Sequence, residues 1–241
     1  MNERNSGSND GQGAAAGTAP APDREERGLR LVVVLLALTV VSGLIDAVSY
    51  LGLGHVFTAN MTGNVVVLGF AAAGAPGFSV PHTATSLGCF LVGALVGGRV
   101  AVTLGSGSRR RWARRTLGAE AVLVGVSALI ALVWPGAGGT VYALIGVTAF
   151  AMGLRNATVR KLGIPDLTTT VLTMTLTGLA SDSRVGGGSG RRSPRRAASV
   201  VAMAVGAFLG AWLVIHHDLG IPLLIAAVAS GVLALVASGR E

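Results

Sequence analysis

The sequence contains little charge. Only 12% of its 241 residues are Asp, Glu, Lys or Arg, whereas 51% are hydrophobic. A soluble domain has about 25% charged residues, so this chain has too little polar side chain to cover a water-facing globule. The shortage of charge excludes an ordinary soluble protein, and we predict an integral membrane protein.

Aromatic residues and cysteines are also scarce. Aromatics make up 5% of the chain, and Cys89 is its single cysteine. Single-strand nucleic-acid binders stack bases on aromatic side chains, so the net charge of +8 does not indicate nucleic-acid binding. One cysteine cannot build a disulfide framework or a cysteine-based metal site. Because nucleotide-binding loops, nucleophile elbows and paired-carboxylate motifs are also missing from the sequence, we predict no enzyme activity, no cofactor and no metal.

Long apolar segments dominate what is present. A polar stretch, residues 1–30, comes first and is expected to be a disordered cytoplasmic tail. The apolar segments after it are 31–51, 56–74, 83–104, 117–134, 138–154, 167–181, 197–215 and 219–237. Crossing a bilayer takes about 20 apolar residues, and segments 56–74 and 167–181 begin with polar residues that leave them too short. We predict six crossing helices and two re-entrant half-helices.

The arginine clusters support the same count. Basic residues concentrate at 24–30, 109–115, 155–161 and 184–196. With six crossings all of these clusters fall on one side of the membrane, whereas eight crossings would divide them between both sides. Because Lys and Arg are enriched in cytoplasmic loops, we predict six crossings with both termini in the cytoplasm.

The two halves of the chain, 31–134 and 135–237, resemble each other. Four pairs of segments match in the same order at offsets between 103 and 113 residues: 43–47 with 153–157, 51–53 with 162–164, 92–97 with 205–210, and 127–133 with 230–236. Three crossings per half is an odd number, so the second copy is expected to lie upside down relative to the first. We therefore predict an all-α membrane protein with an inverted 3+3 repeat, an architecture found in transporters.

Two long polar motifs stand out at membrane depth. The first runs from Gly43 to Asn64 and includes Phe57-Thr58-Ala59-Asn60-Met61-Thr62-Gly63-Asn64; the second runs from Gly153 to Thr173. Both motifs resemble the signature of the YoaK-type family of uncharacterised bacterial membrane proteins, over roughly residues 30–237. The resemblance implies a multi-pass protein of the bacterial cytoplasmic (inner) membrane. It implies no substrate.

Polar residues in these motifs are the candidates for a substrate pathway. Asp46 lies inside a predicted span, where an ionisable group is costly and indicates function, although it could instead cap the helix end or hold a neighbouring loop. Asn64 is expected to cap the second half of segment 56–74, and Arg155 either gates the pathway or anchors its helix at the cytoplasmic surface. Glu120 is expected at the membrane surface. The candidates are Asp46, Asn60, Thr62, Asn64, Arg155, Asn156, Asp166, Thr169, Thr170 and Thr173.

Small residues four positions apart are the other recurrent feature. Gly93 with Gly97, and Gly206 with Gly210, are expected to pack helices closely. The leading function hypothesis is a transporter or channel for a small polar solute, with its site at the interface between the repeats. The alternative is a non-transporting scaffold or regulator that binds another membrane protein through these glycine faces. The expected partners are the lipid bilayer and an unidentified small polar solute. The sequence leaves homo-oligomer formation undecided, and it excludes nucleic acid as a partner.

Overall fold

The structure, a computed structural model, describes residues 22–104, 109–162, 172–191 and 193–236. All regular secondary structure in these ranges is α-helical, which confirms the predicted class. The eight helices are α1 (Pro22–Gly52), α2 (Met61–Ala72), α3 (Val80–Leu104), α4 (Arg109–Val133), α5 (Thr140–Leu162), α6 (Leu172–Ser181), α7 (Ser193–His216) and α8 (Gly220–Val236). Helix α1 begins at Pro22, eight residues before the predicted end of the tail, and residues 1–21 lie outside the described ranges.

Four helices are long and apolar enough to cross a membrane. Their apolar parts are Val32–Gly52 of α1, Val80–Thr103 of α3, Trp112–Val133 of α4 and Ser193–His216 of α7. Helix α8 is apolar but has only 17 residues. Helix α5 has 23 residues and is not among the four; it carries Arg155, Arg160 and Lys161. The chain is therefore a helical membrane protein.

Two helices are much shorter than the rest. With 12 and 10 residues, α2 and α6 extend only about 18 and 15 Å, whereas a bilayer core is about 30 Å thick. Helix α2 packs on α3, and α6 packs on α7. In the described part of the chain, α2 and α6 do not form a packed pair with each other. Residues 163–171, which lead into α6, lie outside the described residues.

The long helices pack mainly in pairs that combine one helix from each half of the chain. The most extensive pairs are α3 with α5, α1 with α7, and α4 with α8, followed by α4 with α5 and α1 with α8. Each half thus packs mainly against the other half. An apolar core runs through the centre, built from α1, α4, α5 and α8 together with the 53–59 loop.

Glycines make the closest helix contacts possible. A Cβ on Gly93 of α3 would overlap the main-chain carbonyl oxygen of Phe150 on α5, and a Cβ on Gly97 would lie 3.0 Å from another α5 carbonyl oxygen. Gly206 and Gly210 of α7 meet the α1 backbone in the same way. All four predicted glycines therefore lie in the α3–α5 and α7–α1 contacts, where a side chain would force the helices apart.

Candidate functional site

Arg155 is a fully buried charge near the end of α5. Its Nη1 donates to Oε1 of Glu120 on α4 at 3.1 Å, and both side chains are 0% exposed. The expectations that Arg155 anchors its helix at the surface and that Glu120 lies at the surface are both wrong. The reason is that each charge has its counter-charge on the neighbouring helix, so neither needs water.

Two serines complete this arrangement. Arg155 Nη2 donates to Oγ of Ser42 on α1, and Ser230 on α8 donates to Oε1 of Glu120 at 3.0 Å. Both serines are buried, like the ion pair. We call Ser42, Glu120, Arg155 and Ser230 the polar cluster. It joins α1, α4, α5 and α8, and each of its three hydrogen bonds connects residues 31–134 with residues 135–237.

Hydrogen-bonding capacity remains unused in the polar cluster. Within the described residues, Oε2 of Glu120 and Nε of Arg155 are buried and have no hydrogen-bond partner. Buried polar atoms are normally paired, by protein or by water. The cluster can therefore accept and donate further hydrogen bonds to a small polar molecule.

Asp46 lies one helical turn beyond Ser42 on the same face of α1. Its Oδ1 accepts hydrogen bonds from three consecutive backbone N–H groups, those of Thr58 at 3.1 Å, Ala59 at 2.8 Å and Asn60 at 3.4 Å. The Asp46 carboxyl is buried and also interacts electrostatically with Arg155. Of the two roles considered for Asp46, the structure shows that it holds a neighbouring loop.

That loop turns back into the protein. Helix α1 ends six residues after Asp46, which is about 9 Å along the helix axis. Because residues 58–60 bond Asp46, they lie beside α1 about 9 Å before its end. The chain then runs back through α2. Nδ1 of His55, which follows α1, lies 2.9 Å from the carbonyl oxygen of Gly77, which follows α2. The start and the end of this excursion therefore meet on the same side of the helix bundle.

Two asparagines stabilise the turn that begins α2. Asn60 is the N-cap residue, because its side chain accepts from the N–H of Gly63 at 3.2 Å. Asn64 is fully buried and bonds both backbone groups of Phe57, at 2.8 and 2.6 Å, and the hydroxyl of Ser86 on α3 at 3.0 Å. The prediction that Asn64 caps the helix is wrong, because it instead ties the loop to α2 and α3.

The remaining predicted residues are dispersed. Thr62 on α2 and Thr173 on α6 are exposed, and Asn156 is half-buried on α5. Asp166, Thr169 and Thr170 lie outside the described residues. Within the described ranges, no three His, Cys, Asp or Glu side chains come together as a metal site would need. Of the predicted set, the structure brings Asn60 into contact with Asp46, and Arg155 close enough to interact with Asp46 electrostatically.

Sequence reasoning missed three members of the polar cluster, Ser42, Glu120 and Ser230. The available signal was Glu120 itself, which is followed by thirteen residues without a charge. An acid beside such an apolar run needs a partner, and Arg155 was the other ionisable residue placed inside a polar motif. The serines carry no such signal, since membrane helices contain serine for many reasons.

Comparisons with known proteins give a membrane-protein family. The family model described as "Protein of unknown function (DUF1275)" matches residues 34–236. The UPF0700 transmembrane protein YoaK of Bacillus subtilis (strain 168) is 34% identical over 152 residues, which is 62% of this chain. The chain covers 65% of that protein's length, just under two thirds. No solved structure matches. The chain therefore belongs to the DUF1275 family and is a YoaK-type membrane protein.

Proposed function

We propose that the protein is a transporter or channel for a small polar solute, and that the solute passes between the two halves of the chain at the polar cluster. The observation that carries this proposal is that all three hydrogen bonds between members of the cluster join one half to the other. A rearrangement of the halves would break and remake those bonds, as alternating access requires.

The depth of the charges supports this proposal. Glu120 lies eight residues into the apolar span Trp112–Val133, about 12 Å from its start. Charged residues at such depth are costly, and they usually mark the path of an ion or substrate. A protein that needed only stability would do as well with apolar residues, because a buried ion pair rarely stabilises more than a hydrophobic pair of similar volume.

The helix contacts support the repeat that the proposal needs. If each helix of the first half is exchanged for its counterpart in the second, α3–α5 becomes α7–α1, α4–α5 becomes α8–α1, and α2–α3 becomes α6–α7. The α4–α8 pair maps onto itself. Every packed pair of helices thus has its equivalent, as expected for two copies of one fold.

Individual residues follow the same exchange. A Cβ on Gly153 would meet the carbonyl oxygen of Phe90 and lie 2.8 Å from the nitrogen of Ala94. A Cβ on Gly43, which is 110 residues earlier, would meet the carbonyl oxygen of Met203 and lie 2.8 Å from the nitrogen of Ala207. Met203 and Ala207 each lie 113 residues after their counterparts, the same offset as in the sequence repeat.

Six crossings fit the helix lengths. Helix α5 extends about 35 Å and packs against the span candidates α3 and α4. Helix α8 extends about 26 Å, is apolar except for Ser230 and packs against α4. Adding α5 and α8 to the four span candidates gives three crossings per half, with α2 and α6 as the half-helices. An odd number per half makes the repeat an inverted one.

The alternative function, a scaffold that binds a partner through glycine faces, has less support. The four glycines on which it rested, Gly93, Gly97, Gly206 and Gly210, pack against helices of the same chain. A partner would need other small residues, such as Gly98, which has open space beside it. None of these four glycines is therefore free to bind a partner protein.

Transport is tested with the full chain in proteoliposomes. A panel of labelled metabolites would be screened for uptake by the wild-type protein, by Arg155→Met and by Gly98→Ala, each checked for folding by size exclusion after extraction. We expect uptake of at least one solute by wild type and Gly98→Ala, and loss of it in Arg155→Met. Uptake that is equal in all three variants would place the pathway elsewhere, and no uptake of any solute would favour the scaffold.

A further inference from the structure

We propose that Asp46 binds a proton that crosses the membrane together with the solute. The inference rests on the proposed transport function, because a coupling ion needs a solute to drive. To that function the inference adds the identity of the coupling ion, a proton, and the group that carries it, the carboxyl of Asp46.

The count of buried charges points to a cation. Around the polar cluster, the carboxyl groups of Asp46 and Glu120 lie with one guanidinium, that of Arg155. The other buried guanidinium of the described residues, that of Arg196, lies between α6 and α7 and is paired with Asp182. Because Arg155 is already bonded to Glu120, Asp46 is the surplus negative charge. An uncompensated charge is expensive in an apolar interior. An anion bound here would add a second uncompensated charge, whereas a proton or a monovalent cation would remove the first.

The hydrogen bonds of Asp46 favour a proton over a metal ion. Three N–H groups converge on Oδ1, whereas Oδ2 is buried and has no partner in the described residues. An acid protonated on Oδ2 keeps Oδ1 as a carbonyl acceptor and so retains all three bonds. A metal ion would need about six oxygen ligands. The buried unpartnered side-chain oxygens of this segment, within the described residues, are Asp46 Oδ2 and Thr58 Oγ1.

Few other ionisable groups face Asp46. Helix α5 contributes Arg155, and α4 contributes Glu120 through Arg155. Helices α2 and α8 contain no ionisable residue, and the ionisable residues of α7 lie in its first and last turns. On α1 the next ionisable residue is Tyr50, one turn further on. Among the ionisable groups, Arg155 is the one that interacts with Asp46, which links the carboxyl to the polar cluster, whereas burial and the three backbone hydrogen bonds affect the carboxyl more strongly.

A route for the proton exists on one side. Asn60, whose N–H bonds Asp46 Oδ1, is itself exposed, so a single residue separates the carboxyl from the protein surface. The counterpart of Asp46 in the second half is Asn156, an amide that cannot titrate. The repeat thus provides one ionisable position out of two, and proton binding is confined to the first half.

Infrared spectroscopy tests the proposal without knowledge of the solute. The full chain, reconstituted in lipid, would be titrated from alkaline to acidic pH while the carbonyl stretch of protonated carboxyl groups is recorded. We expect a band that grows as the pH falls, persists in Asp182→Asn and is absent in Asp46→Asn. Asp46→Glu, which keeps an acid, should retain a band at a shifted frequency and covers the case in which Asp46→Asn does not fold.

Other results would overturn the proposal. Identical bands in wild type and Asp46→Asn would mean that Asp46 does not bind a proton. A band whose titration moves when sodium chloride replaces choline chloride would identify a metal cation as the ligand. If the band behaves as expected but no solute is ever transported, the transport function fails while the proton site stands. If a solute is transported equally by wild type and Asp46→Asn without regard to a pH gradient, only the proton coupling fails.

Discussion

Nη1 of Arg155 lies 3.1 Å from Oε1 of Glu120, and neither side chain is exposed. In the proposed repeat, the residues equivalent to Arg155 and Glu120 are Ile45 and Leu223, and both are buried in the apolar core. The same place in the fold is thus filled once by an ion pair and once by an apolar pair. Packing alone does not require the charges, which is why we assign them to function.

This comparison predicts how substitutions at the pair behave. Arg155→Ile alone leaves Glu120 as a buried unpaired carboxylate and should lower the stability by about 3–5 kcal/mol. The double variant Arg155→Ile with Glu120→Leu copies the residues of the other half, so it should recover most of that loss. Thermal unfolding of the purified protein in detergent measures both effects.

Activity separates the two roles of the pair. The double variant is expected to fold but not to transport, because the group that bridges the halves is gone. If the double variant is less stable than Arg155→Ile alone, the apolar pair of the other half is not an adequate substitute and the argument from the repeat is wrong.

Close helix packing predicts a contrast between two glycines of α3. Gly93→Ala places a Cβ against the carbonyl oxygen of Phe150, so the helices must separate and stability should fall by about 1–3 kcal/mol. Gly98→Ala is the matched control, since a Cβ there has no neighbour within 4 Å. Alanine has the higher helix propensity, so Gly98→Ala should raise stability by up to about 1 kcal/mol. Equal unfolding temperatures for the two variants would contradict the packing.

Asp46 gives a third prediction, which compares two substitutions at one position. Asp46→Asn keeps a side-chain oxygen to accept the three N–H groups of residues 58–60, so expression and folding should stay close to wild type while activity falls. Asp46→Ala leaves those N–H groups without an acceptor, at a cost of about 1–3 kcal/mol for each one that stays buried.

Amide hydrogen exchange provides the measurement for Asp46. Protection of residues 58–60 should be retained in Asp46→Asn and lost in Asp46→Ala. Loss of folded protein in Asp46→Asn would show that the charge is needed for structure, and this outcome would count against a role in transport.

Local patterns in the sequence predicted much of the fold. Apolar length indicated the crossing helices, and the spacing of Gly93 and Gly97 indicated close packing because glycine is the residue that permits it. The ion pair could not be predicted in the same way. Arg155 and Glu120 are 35 residues apart on different helices, and only the three-dimensional packing decides whether two such charges meet in the core or turn outward.

The loop before α2 is a second feature that the sequence alone does not predict. The motif contains Asn60 and Asn64, and either residue can cap a helix. The choice between them depends on Asp46, which draws the three N–H groups of residues 58–60 inward and so fixes where the helix begins. Asn64 then falls inside the helix and bonds Phe57. A capping rule applied to the sequence has no access to a contact twelve residues away.

The topology gives the last prediction, which decides between six and eight crossings. Lys161 and Val185 lie on either side of α6 and are both exposed, and Gly138 lies in the turn between α4 and α5 with open space around it. In a chain with Cys89→Ala, single cysteines at 161 and 185 should be labelled from the cytoplasmic side, and one at 138 from the outside. The reason is that α6 extends only about 15 Å, so the chain around it should enter and leave on one face. Labelling of positions 161 and 185 from opposite sides would mean that this segment crosses the membrane. The second half would then have four crossings, and the six-crossing topology would be wrong.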